Sequence, residues 1–212
     1  MNNNPASRPP APLRILAILL IQIVTASAAF SQTVDPSQPN GYFEGTVVVQ
    51  WMEHDGPDRI MTLLEDFSYF DPNGKEWRVP AQEKIDGASI PRVLWSHVGS
   101  PFVGDYRRAS VIHDYYCNEK SASANDVHRM FYHAALAGGV SVPTAKMMYY
   151  AIKAAGKSWR RLSGFDGSVN VIDVPPPKPG LSLEEIVEAE KWIVSDNPSL
   201  NTIDDFLKSI ED

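Results

Sequence analysis

The chain has 212 residues, a net charge of −7 at pH 7 and one cysteine, Cys117. A single cysteine excludes an internal disulfide, so we expect packing alone to hold the fold together. Free cysteines are usually buried, and we expect the same of Cys117. Residues 173–212 contain ten acidic residues and three lysines, and so carry a net charge of −7. The rest of the chain is therefore nearly neutral. Nucleic-acid-binding domains carry an excess of Lys and Arg, so this charge argues against nucleic-acid binding.

The first 28 residues are typical of a secretory signal peptide. Arg8 and Arg14 lie at the start of an apolar stretch, and Ala26-Ser27-Ala28 places small residues where a signal peptidase cleaves. The most apolar part, 13–24, is shorter than the roughly 20 residues of a membrane-spanning helix. We therefore expect cleavage near Ala28, export to the periplasm or beyond, and a flexible segment over 29–41.

Residues 42–172 predict one folded domain that begins with strands. Two stretches, 42–51 and 59–70, are rich in β-branched and aromatic residues or alternate in polarity, as strands do. Asp71-Pro72-Asn73-Gly74 has the residue order of a tight turn, so 60–70 and 75–79 should form a hairpin. The N-terminal half is thus a small antiparallel sheet.

Beyond Pro101 the apolar residues recur with the period of helices. A first helix has one face made by Tyr106, Ala109, Ile112, His113 and Tyr116. Ser123 is a cap for a second helix that ends at Gly138-Gly139, and a third begins near Pro143. The prediction is an α+β fold in which a three-helix layer follows the sheet.

Residues 173–180 form a predicted proline-rich linker, and 181–212 a predicted acidic helical tail. The prolines of 175–179 cannot donate backbone hydrogen bonds, which favours an extended spacer. Few contacts should cross such a spacer. We therefore expect the tail to be dispensable for folding of the domain.

Two motifs place polar side chains in apolar sequence: Asp-Gly-Ala-Ser-Ile-Pro at 86–91 and His-Asp at 113–114. Together with Gly-Ser-Pro-Phe at 99–102 and an Asp-x-x-x-x-Phe pattern from Asp126, they resemble the family called domain of unknown function 1353, common in phages and bacteria. The resemblance implies a fold and a set of positions, and it carries no activity with it.

The preferred functional hypothesis is hydrolysis by water that His113 activates. Neighbours on a helix point about 100° apart, so His113 faces inward and Asp114 lies beside it at the rim. This is similar to the His-Asp pair of small secreted calcium-dependent phospholipases, where the histidine activates water and the aspartate holds the metal. By the same comparison Asp126 would orient His113, whereas His128, about 200° from Asp126, should face away.

Three alternatives stay open for these residues. Ser89 could be a nucleophile, although a hydroxyl that caps its own turn is the simpler interpretation. Asp86 and Asp114, with His113 and Asp126 nearby, form an oxygen-rich set that favours calcium, magnesium or manganese. The same side chains could instead form a buried polar network in a non-catalytic envelope or phage-derived binding module.

The third helix carries a basic stripe, made by Lys146, Lys153, Lys157 and Arg160. Such a stripe is able to bind an anionic envelope surface. It could equally be a solvated face or dock the acidic tail of the same chain.

Overall fold

The computed structural model describes Met1 and residues 37–52, 60–87 and 104–210. Apart from Met1, these residues belong to one compact unit, Gln32–Asp212. The predicted signal peptide and the motif residues 88–103, which include Ser89, lie outside the described residues. Within the described ranges, no helix has the length and hydropathy to cross a membrane.

The first six strands described form two antiparallel sheets. One has the order β1-β4-β5 and contains Tyr42–Glu44, Phe67–Phe70 and Glu76–Val79. The other has the order β2-β3-β6 and contains Val49–Trp51, Met61–Leu63 and Lys84–Ile85.

The two strands predicted over 42–51 and 59–70 are each divided, and their halves join different sheets. Gly45 separates β1 from β2 with a φ of +87°, a backbone conformation that side chains disfavour. Asp66 fixes the bend between β3 and β4, because its carboxylate accepts a hydrogen bond from the Ala81 N–H at 2.8 Å and pairs with Arg78.

The hairpin predicted around Asp71–Gly74 is confirmed. Strands β4 and β5 pair antiparallel, from Phe70 opposite Glu76 to Phe67 opposite Val79. The Asp71 carboxylate accepts hydrogen bonds from the backbone N–H groups of Asn73 at 2.8 Å and Lys75 at 3.1 Å. The turn residues therefore act as the sequence predicts.

Three helices follow the sheets: α1 (Arg107–Glu119), α2 (Ala124–Ala137) and α3 (Val142–Ala155). The Ser123 hydroxyl accepts a hydrogen bond from the Asp126 N–H at 3.1 Å, and Gly138 ends α2. Pro143 lies in the first turn of α3, after the Ser141 cap. These observations confirm the predicted α+β class, with sheets first and helices after.

A second hairpin, which the sequence did not predict, follows α3. Strands β7 (Ser158–Ser163) and β8 (Val169–Val174) pair antiparallel. Trp159 anchors β7, because its side chain is buried and its indole N–H donates to the Ala122 carbonyl at 2.9 Å. This anchor brings the start of β7 beside the N-terminal end of α2.

Two further helices complete the described chain: α4 (Leu183–Asp196) and α5 (Leu200–Ser209). The expectation that few contacts cross the proline-rich segment is wrong, because both helices contribute buried side chains to the core: Ile186, Ile193, Ile203 and Leu207. The prolines remove backbone donors, but they do not prevent the chain from turning back. Lys178 still donates its backbone N–H to the Ala154 carbonyl at 2.7 Å.

Two lysines of the basic stripe contact the C-terminal region of the same chain. The Lys146 ammonium donates to the Asn197 side chain at 2.6 Å, and the Lys153 ammonium lies 3.2 Å from the Asp204 carboxylate. The prediction that all four residues share one helix is wrong, because α3 ends at Ala155 and Arg160 belongs to β7. Lys157 donates to Asn118, and Arg160 is exposed. Binding of an anionic envelope surface by this stripe stays a prediction.

Candidate functional site

The candidate site is built on α1, which packs against α2 and against strands β4, β5 and β6. His113, Asp114 and Cys117 are all 0% exposed. Because neighbouring helical residues point about 100° apart, these side chains meet different partners. His113 contacts α2, whereas Asp114 contacts the end of β6.

His113 pairs with His128, which is the buried histidine of α2. The His113 Nε2 lies 3.0 Å from the His128 Nδ1, and the His128 Nε2 lies 3.1 Å from the Lys157 carbonyl oxygen. Since a carbonyl only accepts, His128 carries its proton on Nε2, and its Nδ1 accepts a hydrogen bond from the Nε2–H of His113. The expectation that His128 faces away is wrong.

Burial keeps both imidazoles neutral. Desolvation is the main cause that lowers the pKa of His113 well below its ordinary value, and the His128 ring adds to it. Desolvation, followed by the charge of Lys153, lowers the pKa of His128 to about 3. At neutral pH the pair is therefore two uncharged rings that share one hydrogen bond.

Cys117 lies one helical turn after His113 on the same face of α1. Its Sγ is 3.6 Å from Nε2 and 3.7 Å from Nδ1 of the His113 ring. Burial, reinforced by the nearby Asp114, raises the pKa of the thiol to about 12. The prediction that Cys117 is buried is confirmed; in the metal-free protein it is a protonated thiol, which is a weak nucleophile.

Asp114 forms a pair with Asp86. One Asp114 oxygen, Oδ2, accepts a hydrogen bond from the Asp86 backbone N–H at 2.8 Å. The other oxygen, Oδ1, is buried and has no hydrogen-bond partner among the described residues. Burial, reinforced by the Asp86 side chain, raises the pKa of Asp114 to about 8. The pair thus joins a buried, protonated carboxyl to an exposed one.

Of the site residues predicted from the sequence, the structure brings together Asp86 and Asp114. Asp126 is exposed in the first turn of α2, and no contact within the described ranges joins it to His113. Ser89 lies outside those ranges. The catalytic roles of His113, Asp114, Asp126 and Ser89 stay predictions.

Sequence reasoning missed two neighbours of His113. Cys117 was detectable, because residues four apart lie on the same face of a helix. His128 was not, because its contact with His113 depends on how α1 and α2 cross, and no local pattern encodes a crossing.

Comparisons with known proteins agree with the motif resemblance. Residues 61–152 match the family described as "Protein of unknown function (DUF1353)". The Uncharacterized protein y4jT of Sinorhizobium fredii (strain NBRC 101917 / NGR234) is 40% identical over 153 residues, which is 71% of this chain and 45% of that protein. The Uncharacterized protein y4iH of the same organism is 38% identical over 149 residues, which is 68% of this chain and 62% of that protein.

The aligned part thus spans less than two thirds of either relative. No solved structure shows a significant match. The family match contains α1 and α2, and with them Asp86, His113, Asp114, Cys117 and His128. Through residues 61–152, this chain is similar to the DUF1353 family of proteins of unknown function.

Proposed function

We propose that this protein is a hydrolase that acts at the Asp86–Asp114 carboxyl pair with a divalent cation. One observation carries the proposal: the buried Asp114 Oδ1 has no hydrogen-bond donor among the described residues, and the Asp86 carboxyl is its neighbour. Two neighbouring carboxylates repel each other unless one of them keeps a proton. A bound cation would take the place of that proton.

The chemistry of the pair favours a hard cation. Carboxylate oxygens are the ligands that magnesium, calcium and manganese prefer. Asp86 supplies a carboxylate that solvent can reach, and a cation at the pair would displace the proton of Asp114. A cation held there would polarise a substrate oxygen and activate a bound water.

This assignment changes the role of His113. The sequence hypothesis made His113 the group that activates water, but its ring is 0% exposed and its Nε2 bonds to His128. A sealed imidazole with an engaged nitrogen is poorly placed to take a proton from water. His113 is better assigned to holding α1 against α2, so that Asp114 keeps its direction.

Export of the enzyme stays part of the proposal. It depends on the signal peptide predicted over 1–28, of which only Met1 belongs to the described residues. Intact-mass measurement of protein recovered from the periplasm tests it: a chain that starts near Ala29 supports export, and an uncleaved chain contradicts it.

The function is tested by adding Mg²⁺, Mn²⁺ or Ca²⁺ to EDTA-treated protein. Thermal stability and hydrolysis of chromogenic carboxylic esters and phosphodiesters are measured together. We expect one cation to raise Tm by several degrees and to support turnover, and Asp114→Asn to abolish both effects.

The matched control is Glu119→Gln, which alters an exposed acid on the same helix. It should behave as the wild type. If no cation changes Tm or activity, the proposal fails, and a non-catalytic module with a buried polar network explains the site better.

A further inference from the structure

We infer that His113, Cys117 and His128 form a second, separate metal site that binds a borderline transition-metal ion, with Zn²⁺ as the fitting example. The three ligand atoms lie within 4.8 Å of one another, and all three side chains are buried. This inference does not depend on hydrolysis at the carboxyl pair.

Two of the three ligand-atom distances are close to those of a tetrahedral zinc centre, and the third, between the Cys117 Sγ and the His128 nitrogen, is at most 4.8 Å. Zinc binds nitrogen at about 2.0–2.1 Å and sulfur at about 2.3 Å, which in a tetrahedron separates two nitrogens by about 3.3 Å and a nitrogen from a sulfur by about 3.6 Å. The His113 Nε2 lies 3.0 Å from the His128 Nδ1 and 3.6 Å from the Cys117 Sγ. The Cys117 Sγ is almost equally far from the two nitrogens of the His113 ring, at 3.6 and 3.7 Å, so the Cys117 or His113 side chain must rotate before the sulfur and Nε2 can share an ion.

The hydrogen bond behind His128 orients it as a ligand. Its Nε2–H donates to the Lys157 carbonyl, so the Nδ1 lone pair points to His113. Metal-binding histidines commonly donate their second N–H in this way, which fixes the tautomer and strengthens the ligand. The Lys157 carbonyl is therefore the outer support of the site, and Trp159 anchors the strand that follows it.

Besides this side-chain rotation, which breaks the hydrogen bond between His113 and His128, binding requires proton transfers and no change of oxidation state. The S–H bond of Cys117 breaks as a sulfur–metal bond forms, and this proton leaves to solvent. In His113 the proton moves from Nε2 to Nδ1, so that Nε2 can bind the ion. His128 already has the ligand tautomer. No oxidant or reductant is needed, and burial keeps both imidazoles in the neutral form that metals bind.

An approach to the site exists on the side of α2. His128 lines an open cavity of about 540 Å³, together with Ala124, Asn125, Lys153 and Trp159. The cavity gives an ion a route as far as His128, whereas His113 and Cys117 are not among the described residues that line it.

Ligand chemistry separates this site from the carboxyl pair. A thiolate and two imidazoles select Zn²⁺, Co²⁺ or copper over Mg²⁺, Ca²⁺ and Mn²⁺, whereas two carboxylates have the opposite preference. The neighbouring residues His113 and Asp114 would thus serve two ions of different hardness.

The test is a titration of the EDTA-treated full chain with Co²⁺ under reducing conditions. We expect one Co²⁺ per chain, a near-ultraviolet charge-transfer band that requires a cobalt–thiolate bond, and loss of the band when Zn²⁺ is added. Cys117→Ser should remove the band, and His128→Gln should weaken Co²⁺ binding by more than about tenfold.

Two further variants and a folding check keep the outcome unambiguous. His133→Gln alters another histidine of α2, outside the cluster, and should bind Co²⁺ as the wild type does. Asp114→Asn should keep the cobalt band even where it loses the effect of Mn²⁺ or Mg²⁺, so the two proposals fail independently. Circular dichroism confirms that each variant folds, and Cys117→Ala replaces Cys117→Ser if the serine variant does not. A wild type that gives no band, or a band that persists without Cys117, overturns the inference.

Discussion

His113 and Asp114 are neighbours in sequence, yet their side chains lie in two chemical environments. His113 has its hydrogen bond inside the helical layer, to a ring whose other nitrogen is also bonded. Asp114 faces the end of β6 and keeps one oxygen unpaired within the described ranges. At the residue scale, His113 is therefore suited to hold a fixed orientation, and Asp114 is suited to exchange a proton for a bound ligand.

The first prediction concerns the coupling of His113 and His128. His128→Leu leaves the His113 N–H without an acceptor, which should lower the free energy of unfolding by about 1–3 kcal/mol. His113→Leu strands the His128 Nδ1 in the same way. The double variant removes both partners, so it should cost less than the sum of the single changes by about 1–2 kcal/mol.

Urea denaturation in the presence of EDTA measures this coupling without a metal contribution. His133→Leu combined with His113→Leu is the control pair, and its effects should add. Additive effects of His113→Leu and His128→Leu would show that the 3.0 Å contact does not stabilise the fold.

At the scale of the element, local signals specify where helices end. Ser123 and Gly138 define α2 as the sequence predicts, because a cap hydrogen bond involves residues only a few positions apart. Strand pairing is not local. Residues 42–51 have the composition of one strand, but Gly45 and the partners of each half divide it between two sheets. Composition alone therefore predicted the strands but not their sheets.

In the candidate site, too, local sequence patterns predicted the residues but not the contacts between helices. The motif around Asp86 and the His113-Asp114 pair were recognisable as polar residues in apolar sequence, and the structure does place Asp86 beside Asp114. The angle between Asp126 and His128 did not predict that His128 contacts His113, because this angle describes α2 alone. The rotation of α2 against α1 decides which of these residues meets His113, and packing of the whole core sets that rotation.

The second prediction concerns the start of α4, where Ser182 and Glu185 form a capping box. Lys178, which is the main cause, and the Ser182 N–H and hydroxyl lower the pKa of Glu185 to about 2. A carboxyl whose pKa is lower in the folded than in the unfolded chain stabilises the fold above its unfolded pKa, and this stabilisation is lost as pH falls towards the folded pKa.

Glu185→Gln keeps the hydrogen-bonding shape of the box but removes the charge. We expect the variant to have a lower Tm than the wild type at pH 7, and the difference to shrink between about pH 4.5 and pH 2. Tm measured across this range checks the prediction, with Glu184→Gln as control. A Tm difference that does not change with pH would mean that the charge of Glu185 contributes nothing to stability.

At the scale of the whole molecule, the acidic C-terminal region is part of the core. Asp204 of α5 illustrates how: its carboxylate accepts a hydrogen bond from the Tyr149 hydroxyl at 2.7 Å and pairs with Arg129 at 2.6 Å. The region brings negative charge to a basic face of α2 and α3, so its net charge is partly neutralised within the fold. Charge counted along the sequence did not reveal this, because the partners lie more than 50 residues away.

The last prediction tests whether this region holds the domain together. Ile203 of α5 is 0% exposed, whereas Leu183 at the start of α4 is 54% exposed. If α4 and α5 belong to the core, Ile203→Ala should lower the free energy of unfolding by about 2–5 kcal/mol, because it opens a cavity. Leu183→Ala should change it by no more than about 0.5 kcal/mol.

Truncation after Asp173 is the stronger form of the same experiment. It removes six buried side chains of the core, and the four largest that are almost fully buried, Ile186, Ile193, Ile203 and Leu207, each contribute about 1.5–3 kcal/mol on burial. This total is comparable to the stability of a typical domain, so we expect the truncated chain to lose cooperative unfolding. If the truncated chain and Ile203→Ala both melt as the wild type does, α4 and α5 form an independent tail after all, and the contacts of Asp204 do not stabilise the domain.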